Sequence, residues 1–202
     1  MATITPENYT KFTTAGEQKL YEFLRDALKP DSHCFAWYAL SIEGLEPDFV
    51  VYTPEVGLVV FEVKDWLLEQ IQDADQNTFT LLLSNGREER RTHPLKQARE
   101  YMLAIMNRIK RSSSPLVSPD ARYQGKIRLP IEYAVVFSNI TRDKFCSANL
   151  LLYCQPKKLC LQMIWLLLLW SKMREQQPVI CGIVWRPCFL PNFPLSYPLT
   201  ML

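Results

Sequence analysis

The run Pro47-Asp48-Phe49-Val50-Val51-Tyr52-Thr53-Pro54-Glu55-Val56-Gly57-Leu58-Val59-Val60-Phe61-Glu62-Val63-Lys64 decides the fold. Asp48–Tyr52 and Leu58–Lys64 are short, rich in β-branched residues and apolar on both faces, as strands in the middle of a sheet must be. Thr53-Pro-Glu-Val-Gly57 between them reads as a hairpin loop. If that loop is centred on Glu55, Thr53 faces Gly57, Tyr52 faces Leu58, and Asp48 faces Glu62. A slip of one residue would send the two acids to opposite faces of the sheet.

Outward from this hairpin the elements alternate. Thr14-Ala-Gly-Glu17 followed by LYEFLRDAL (20–28) is a helix start with a capping-box pattern. Leu20, Phe23, Leu24, Ala27 and Leu28 recur at i, i+3, i+4, and Pro30 ends the helix. Cys34–Ile42 is strand-like and closes at Glu43-Gly44. Leu67–Gln72 and Thr78–Leu83 form a peripheral hairpin around Asp73–Asn77. Thr92-His-Pro94 opens a second helix with proline in its first turn. Leu95, Ala98, Met102, Ile105, Met106 and Ile109 make its apolar stripe, and Arg111-Ser-Ser-Ser-Pro115 stops it. Arg122–Arg128 is basic and loop-like; Ile131–Phe137 is a further strand, broken at Ser138-Asn139. Helix, three strands, hairpin insert, helix, strand describes an α/β domain around a mixed central sheet flanked by helices.

Opposed residues on one face of an antiparallel pair lie about 4.5–5.5 Å apart at Cβ, so Asp48 and Glu62 point at one volume. Lys64, two residues on, projects from the same face. Two carboxylates at the end of an apolar sheet repel each other and lose solvent, so either one holds a proton or a cation lies between them. Mg²⁺ is bound by one or two carboxylates plus waters and phosphate oxygens, and it activates water and stabilises charge on a phosphodiester under in-line attack. Lys64 would then hold or deprotonate the attacking water or offset transition-state charge. The plainer alternative is a Glu62–Lys64 pair at an exposed sheet edge, with Asp48 ending a turn after Pro47.

Composition splits the chain. Residues 1–145 hold 18 basic against 20 acidic side chains, whereas 146–202 hold five basic residues and Glu175 alone, with five of the six cysteines and three of the five tryptophans. That shift divides a domain at 1–145 from an irregular, apolar tail at 146–202. The longest uncharged run, Leu159–Ser171 (LCLQMIWLLLLWS), is short of the roughly 20 apolar residues a membrane helix needs. Five prolines after Gln177 and the lack of any period leave the tail without a packed element, consistent with an out-of-frame or otherwise aberrant terminus past about Ala148. Met1–Thr14 is polar with no signal-peptide core, and the cysteines show no C-x-x-C pair and no nearby histidine. A cytoplasmic location, no membrane, reduced thiols and no structural zinc are expected.

Several motifs occur together: Gly16-Glu17 in the first helix, IEGLEPDFVVY (42–52), GLVVFEVKDW (57–66), PLKQAREY (94–101) and VVFSNIT (135–141). Over about residues 10–145 they resemble the NERD, or nuclease-related, domain, a branch of the PD-(D/E)xK nuclease superfamily. The resemblance implies a restriction-endonuclease-like core with its site at the mouth of the central sheet. It assigns Asp48, Glu62 and Lys64 to the catalytic trio, adds the Val63 carbonyl as a further metal ligand, and matches Glu17 and Gln97 to the family's helix-one glutamate and second-helix glutamine. By the residues themselves, Glu17 could equally be the capping acid for Thr14, and Gln97 a first-turn helix residue. The implied activity is Mg²⁺- (or Mn²⁺-) dependent hydrolysis of DNA phosphodiesters in DNA processing, repair or defence. The implied company is DNA and a helicase or other DNA-processing module. The alternative is a non-catalytic nucleic-acid-binding or adaptor module on the same fold.

Asp65 and Trp66 read as structural, and His33 and His93 as loop or cap residues. No Walker-type glycine loop is present. Arg87, Arg90, Arg91, Lys96, Arg99, Arg108, Lys110 and Arg111 either track a phosphate backbone or form a solvated helix face diluted by Glu88, Glu89 and Glu100.

Overall fold

The computed structural model describes residues 3–27, 34–54, 56–112, 116–117, 124–148 and 178–181. The elements run β1 (Thr3–Thr5), α1 (Ala15–Ala27), β2 (Phe35–Tyr38), β3 (Phe49–Thr53), β4 (Gly57–Lys64), a 3-10 turn at Leu68–Gln70, β5 (Ile71–Ala74), β6 (Thr78–Leu82), β7 (Glu88–Thr92), α2 (Pro94–Arg111), β8 (Ile131–Thr141), α3 (Arg142–Ser147) and β9 (Pro178–Cys181). Six strands form one sheet in the order β1-β2-β3-β4-β8-β9, and β5-β6-β7 form a second. The large sheet is mixed: β2, β3 and β4 are antiparallel neighbours, whereas β4 and β8 run parallel, with α2 in the connection between them.

The hairpin register is the expected one. Thr53 pairs with Gly57, Tyr52 with Leu58 and Phe49 with Phe61. Gly57 adopts φ +93°, and a Cβ there would stand 2.5 Å from the Pro130 carbonyl oxygen, which accepts the Leu58 N–H at 2.9 Å. Only glycine permits both the turn and that approach.

Side-chain alternation divides the core in two. Val51, Val59, Phe61, Val63, Ala134 and Val136 face α1, meeting Leu20, Tyr21, Phe23 and Leu24. Val50, Val60, Val135 and Phe137 face α2, where Leu95, Ala98 and Ile105 are buried together with Phe79 and Leu81 of the small sheet. Burying each such aliphatic or aromatic side chain contributes about 1.5–3 kcal/mol, so the centre of the sheet is held from both sides. Glu62 and Lys64 have the parity of Val60 and so belong to the α2 face.

Several features differ from the sequence reading: β1 and α3 are additional elements, and the expected strand Leu67–Gln72 opens as a 3-10 turn, so that β5 is Ile71–Ala74. The strand after Cys34 stops at Tyr38 because Ala39 takes φ +50°, and a tight turn through Glu43 (φ +54°) follows with Ile42 and Leu45 bonded to each other. Glu88–Thr92 is a third strand of the small sheet, paired with β6 through its backbone although its side chains carry no apolar alternation. Strand β8 does not break at Ser138-Asn139 but runs to Thr141, with Ile140 fully buried. The tail also contributes an element: Val179, Ile180 and Cys181 pair with Phe137, Val136 and Val135 as strand β9. Backbone groups along a sheet edge accept a partner strand whatever its side-chain period. Pro30, His33 and the run Leu159–Ser171 lie outside the described residues. Among those described, no helix is long and apolar enough to cross a membrane.

Candidate active site

Phe49 and Phe61 are the last paired residues of the β3–β4 ladder, so Asp48 and Glu62 are the next pair outward. Asp48 closes the ladder with its side chain: Oδ2 accepts the Val63 N–H at 2.6 Å, while its own carbonyl accepts the Ala39 N–H at 3.0 Å. Glu62 is 2% exposed. Its Oε1 accepts Lys64 Nζ at 2.5 Å, and its Oε2 is buried with no hydrogen-bond partner. Lys64 also stands 5.9 Å from the centroid of the Trp66 ring, within cation–π range, and keeps one fifth of its side chain exposed.

Burial, and next the charge of Glu62, push the Asp48 carboxyl up to about 7, against the opposing pull of the Val63 N–H and Lys64. Burial also raises Glu62, outweighing the favourable Lys64 ammonium. Both acids therefore resist ionisation unless more positive charge arrives.

Glu17, 5% exposed in the first turn of α1, has three donors. Its Oε2 accepts the Tyr38 hydroxyl at 2.5 Å and the Thr13 N–H at 3.2 Å, and its Oε1 accepts the Thr14 hydroxyl at 3.1 Å. The Glu17 N–H donates to Thr14 Oγ1 at 3.2 Å, so the capping bond exists as well. The bonds to Thr14 are those of its capping reading, and its charge also reaches Asp48 and Glu62 and raises both. Gln97 lies in the first turn of α2 and donates from Nε2 to the Tyr101 hydroxyl at 2.7 Å. Burial, together with the charges of Glu62 and Asp48, raises the Tyr101 phenol. Tyr101 is the site residue that sequence reasoning missed. Its spacing of four from Gln97 was the available signal, but it flanks the apolar stripe instead of belonging to it. Val63 contributes its N–H to Asp48, with its side chain buried on the α1 face.

Trp66 packs against Phe79 and Phe137 at 5.4 and 6.0 Å between centroids, as a core tryptophan does. His93 caps α2, its Nδ1 accepting the Leu95 N–H at 3.1 Å. The basic residues do not gather at the mouth. Arg87, Arg90 and Arg91 are exposed on or beside β7, Arg91 bonds Glu89, and Arg111 reaches Glu43 at the far end of α2.

Among the described residues no three His, Cys, Asp or Glu side chains form a metal cage by themselves. The acid set is a pair, the number Mg²⁺ uses when waters and phosphate oxygens complete its shell. The orphaned Glu62 Oε2 is the atom such an ion would satisfy.

Residues 13–138, which include Glu17, Asp48, Glu62, Lys64 and Gln97, match the family of nuclease-related domains, NERD. The chain belongs to that family. Neither a curated protein nor a solved structure matches it. The NERD region takes in α1, α2, β2 to β7 and most of β8, whereas α3 and β9 follow it. The acid pair thus lies within the NERD region, Glu62 on β4 and Asp48 just before β3.

Proposed function

We propose that this NERD domain is a Mg²⁺- or Mn²⁺-dependent phosphodiesterase that cuts DNA. The observation that carries the reading is the buried, unpartnered Glu62 Oε2 beside an Asp48 whose carboxyl is pushed up to about 7. A bound divalent ion would satisfy that oxygen, keep both acids ionised, acidify a water and stabilise charge on phosphorus.

This chain's residues divide the remaining work. Asp48 is oriented by the Val63 N–H on Oδ2, which leaves Oδ1 to the ion, and the Val63 carbonyl is a further ligand in this reading. Lys64, held between Glu62 Oε1 and the Trp66 face, offers its other N–H bonds to the attacking water or a non-bridging phosphate oxygen. Glu17 supplies a fixed negative charge, oriented by Tyr38, Thr13 and Thr14. Gln97 and Tyr101 present a polar wall from α2. A helicase or similar DNA-processing module is the expected company of this reading.

The test is cleavage of supercoiled plasmid and single-stranded DNA with Mg²⁺ or with EDTA, by the full chain and by Glu62→Gln. Cutting should require the metal and fall to background in the variant, which should remain folded. Equal cutting by Glu62→Gln, or cutting undiminished in EDTA, would overturn the proposal.

A further inference from the structure

Asp65 follows Lys64 directly, yet its bonds lead away from the acid pair. Its Oδ2 accepts the Gly16 N–H at 2.8 Å and its Oδ1 accepts the Ser138 hydroxyl. Its backbone carbonyl accepts Asn139 Nδ2 at 2.7 Å, and Lys19 Nζ donates to Asn139 Oδ1 at 3.4 Å. One residue thus joins the first turn of α1, the end of β4 and the outer end of β8. A Cβ on Gly16 would stand 1.8 Å from Asp65 Oδ1, so the close approach is incompatible with any other residue there. The clasp also accounts for Ser138 and Asn139, polar residues inside a strand that their chemistry alone would end.

What the clasp joins is specific. Gly16 precedes Glu17, and Asp65 succeeds Lys64, so the two peptides it fastens carry the fixed charge and the acid–lysine strand. We infer that Asp65 is a positioning residue: through Gly16 and Ser138 it sets where the Glu17 carboxylate stands relative to Asp48 and Glu62, and thereby the affinity of that pair for a divalent ion. The inference rests on the metal reading above. Charge–charge energy falls as the inverse of distance, and a freed first turn of α1 would carry Glu17 with it. Groups that orient a metal site from behind typically change metal affinity by about 10–100-fold.

The experiment is calorimetric Mn²⁺ titration of the full chain as wild type, Asp65→Ala, Glu17→Gln and the double variant, with urea unfolding of each. Asp65→Ala should weaken Mn²⁺ binding about tenfold. In the Glu17→Gln background the same change should add nothing, because the charge it positions is gone. Asp65→Asn, whose amide oxygen can still take the Gly16 N–H, should recover most of the affinity. Where Asp65→Ala does not fold, Ser138→Ala removes one arm of the clasp and carries the same comparison with a smaller shift. A lowered unfolding midpoint with Mn²⁺ affinity unchanged, or an equal loss in both backgrounds, would overturn the inference and leave the metal reading standing. Failure of the wild type to take Mn²⁺ would overturn both.

Discussion

Replacing Asp48 by asparagine separates the cost of the acid pair from its use. The side-chain amide oxygen can still accept the Val63 N–H, so the end of the ladder is kept while the charge is lost. The Asp48 carboxyl moves from an ordinary 3.8 to about 7 on folding, chiefly by burial and then by the charge of Glu62. The folded protein therefore keeps a proton that the unfolded chain releases, and stability falls as pH rises from about 4 to about 7. At about 1.36 kcal/mol per pKa unit the full shift is a ceiling of about 4 kcal/mol. Asp48 is only half-buried and part of the shift comes from the charge of Glu62, so about 1–3 kcal/mol is the expected size. Urea unfolding in EDTA at pH 8 should show Asp48→Asn more stable than wild type by that amount, and the gap should nearly close at pH 4. Mg²⁺ at a hundred times its dissociation constant should then stabilise the wild type alone, by about 2.7 kcal/mol. A variant no more stable than wild type at pH 8, or one whose advantage is the same at pH 4, would refute the reasoning.

Two further outcomes concern other buried carboxylates of the sheet and α1. Glu132 is 8% exposed on the α1 face, three residues back along β8 from Val135, the partner of Glu62, and burial pushes its carboxyl up to about 7. By the same sign, Glu132→Gln should stabilise the protein at pH 8 by about 1–3 kcal/mol and hardly at pH 4, and Mn²⁺ titration should find its affinity unchanged. Tyr38→Phe removes the hydroxyl that donates to the buried Glu17 carboxylate, which should cost about 1.5–3 kcal/mol in urea unfolding.

How much of this was legible in the sequence depends on how local the cause is. The β3–β4 register could be read because Gly57 and a short loop admit few turns, and because both strands are apolar on either side of one acid each. The α1 and α2 stripes were legible for the same reason, since 3.6-residue spacing needs no partner to be seen. Strand β7 was hidden because Glu88–Thr92 carries charge on both faces and is held by the backbone of β6. Tyr38 on Glu17 spans 21 residues and Asp65 on Ser138 spans 73, and no periodicity reports a bond between two elements. Ser138-Asn139 carries the composition of a turn, and only the clasp shows why it continues as strand.

The plainer account of the acids has its Glu62–Lys64 ion pair, but not the exposed sheet edge it expects. A structural pair at an edge would be solvated, yet Glu62 is 2% exposed and its Oε2 takes no hydrogen bond from the described residues. Even beside Lys64, burial and the neighbouring carboxylates raise the Asp48 and Glu62 carboxyls, so the pair disfavours full ionisation. Replacing such a buried group by an apolar side chain of similar size is often neutral or stabilising. Holding Glu62 in a central strand therefore works against folding, and Gly16, Asp65, Tyr38 and Val63 all act to keep its neighbours in place. On the function proposed above, that cost is the cost of a cation site, since an arriving positive charge would let both acids ionise.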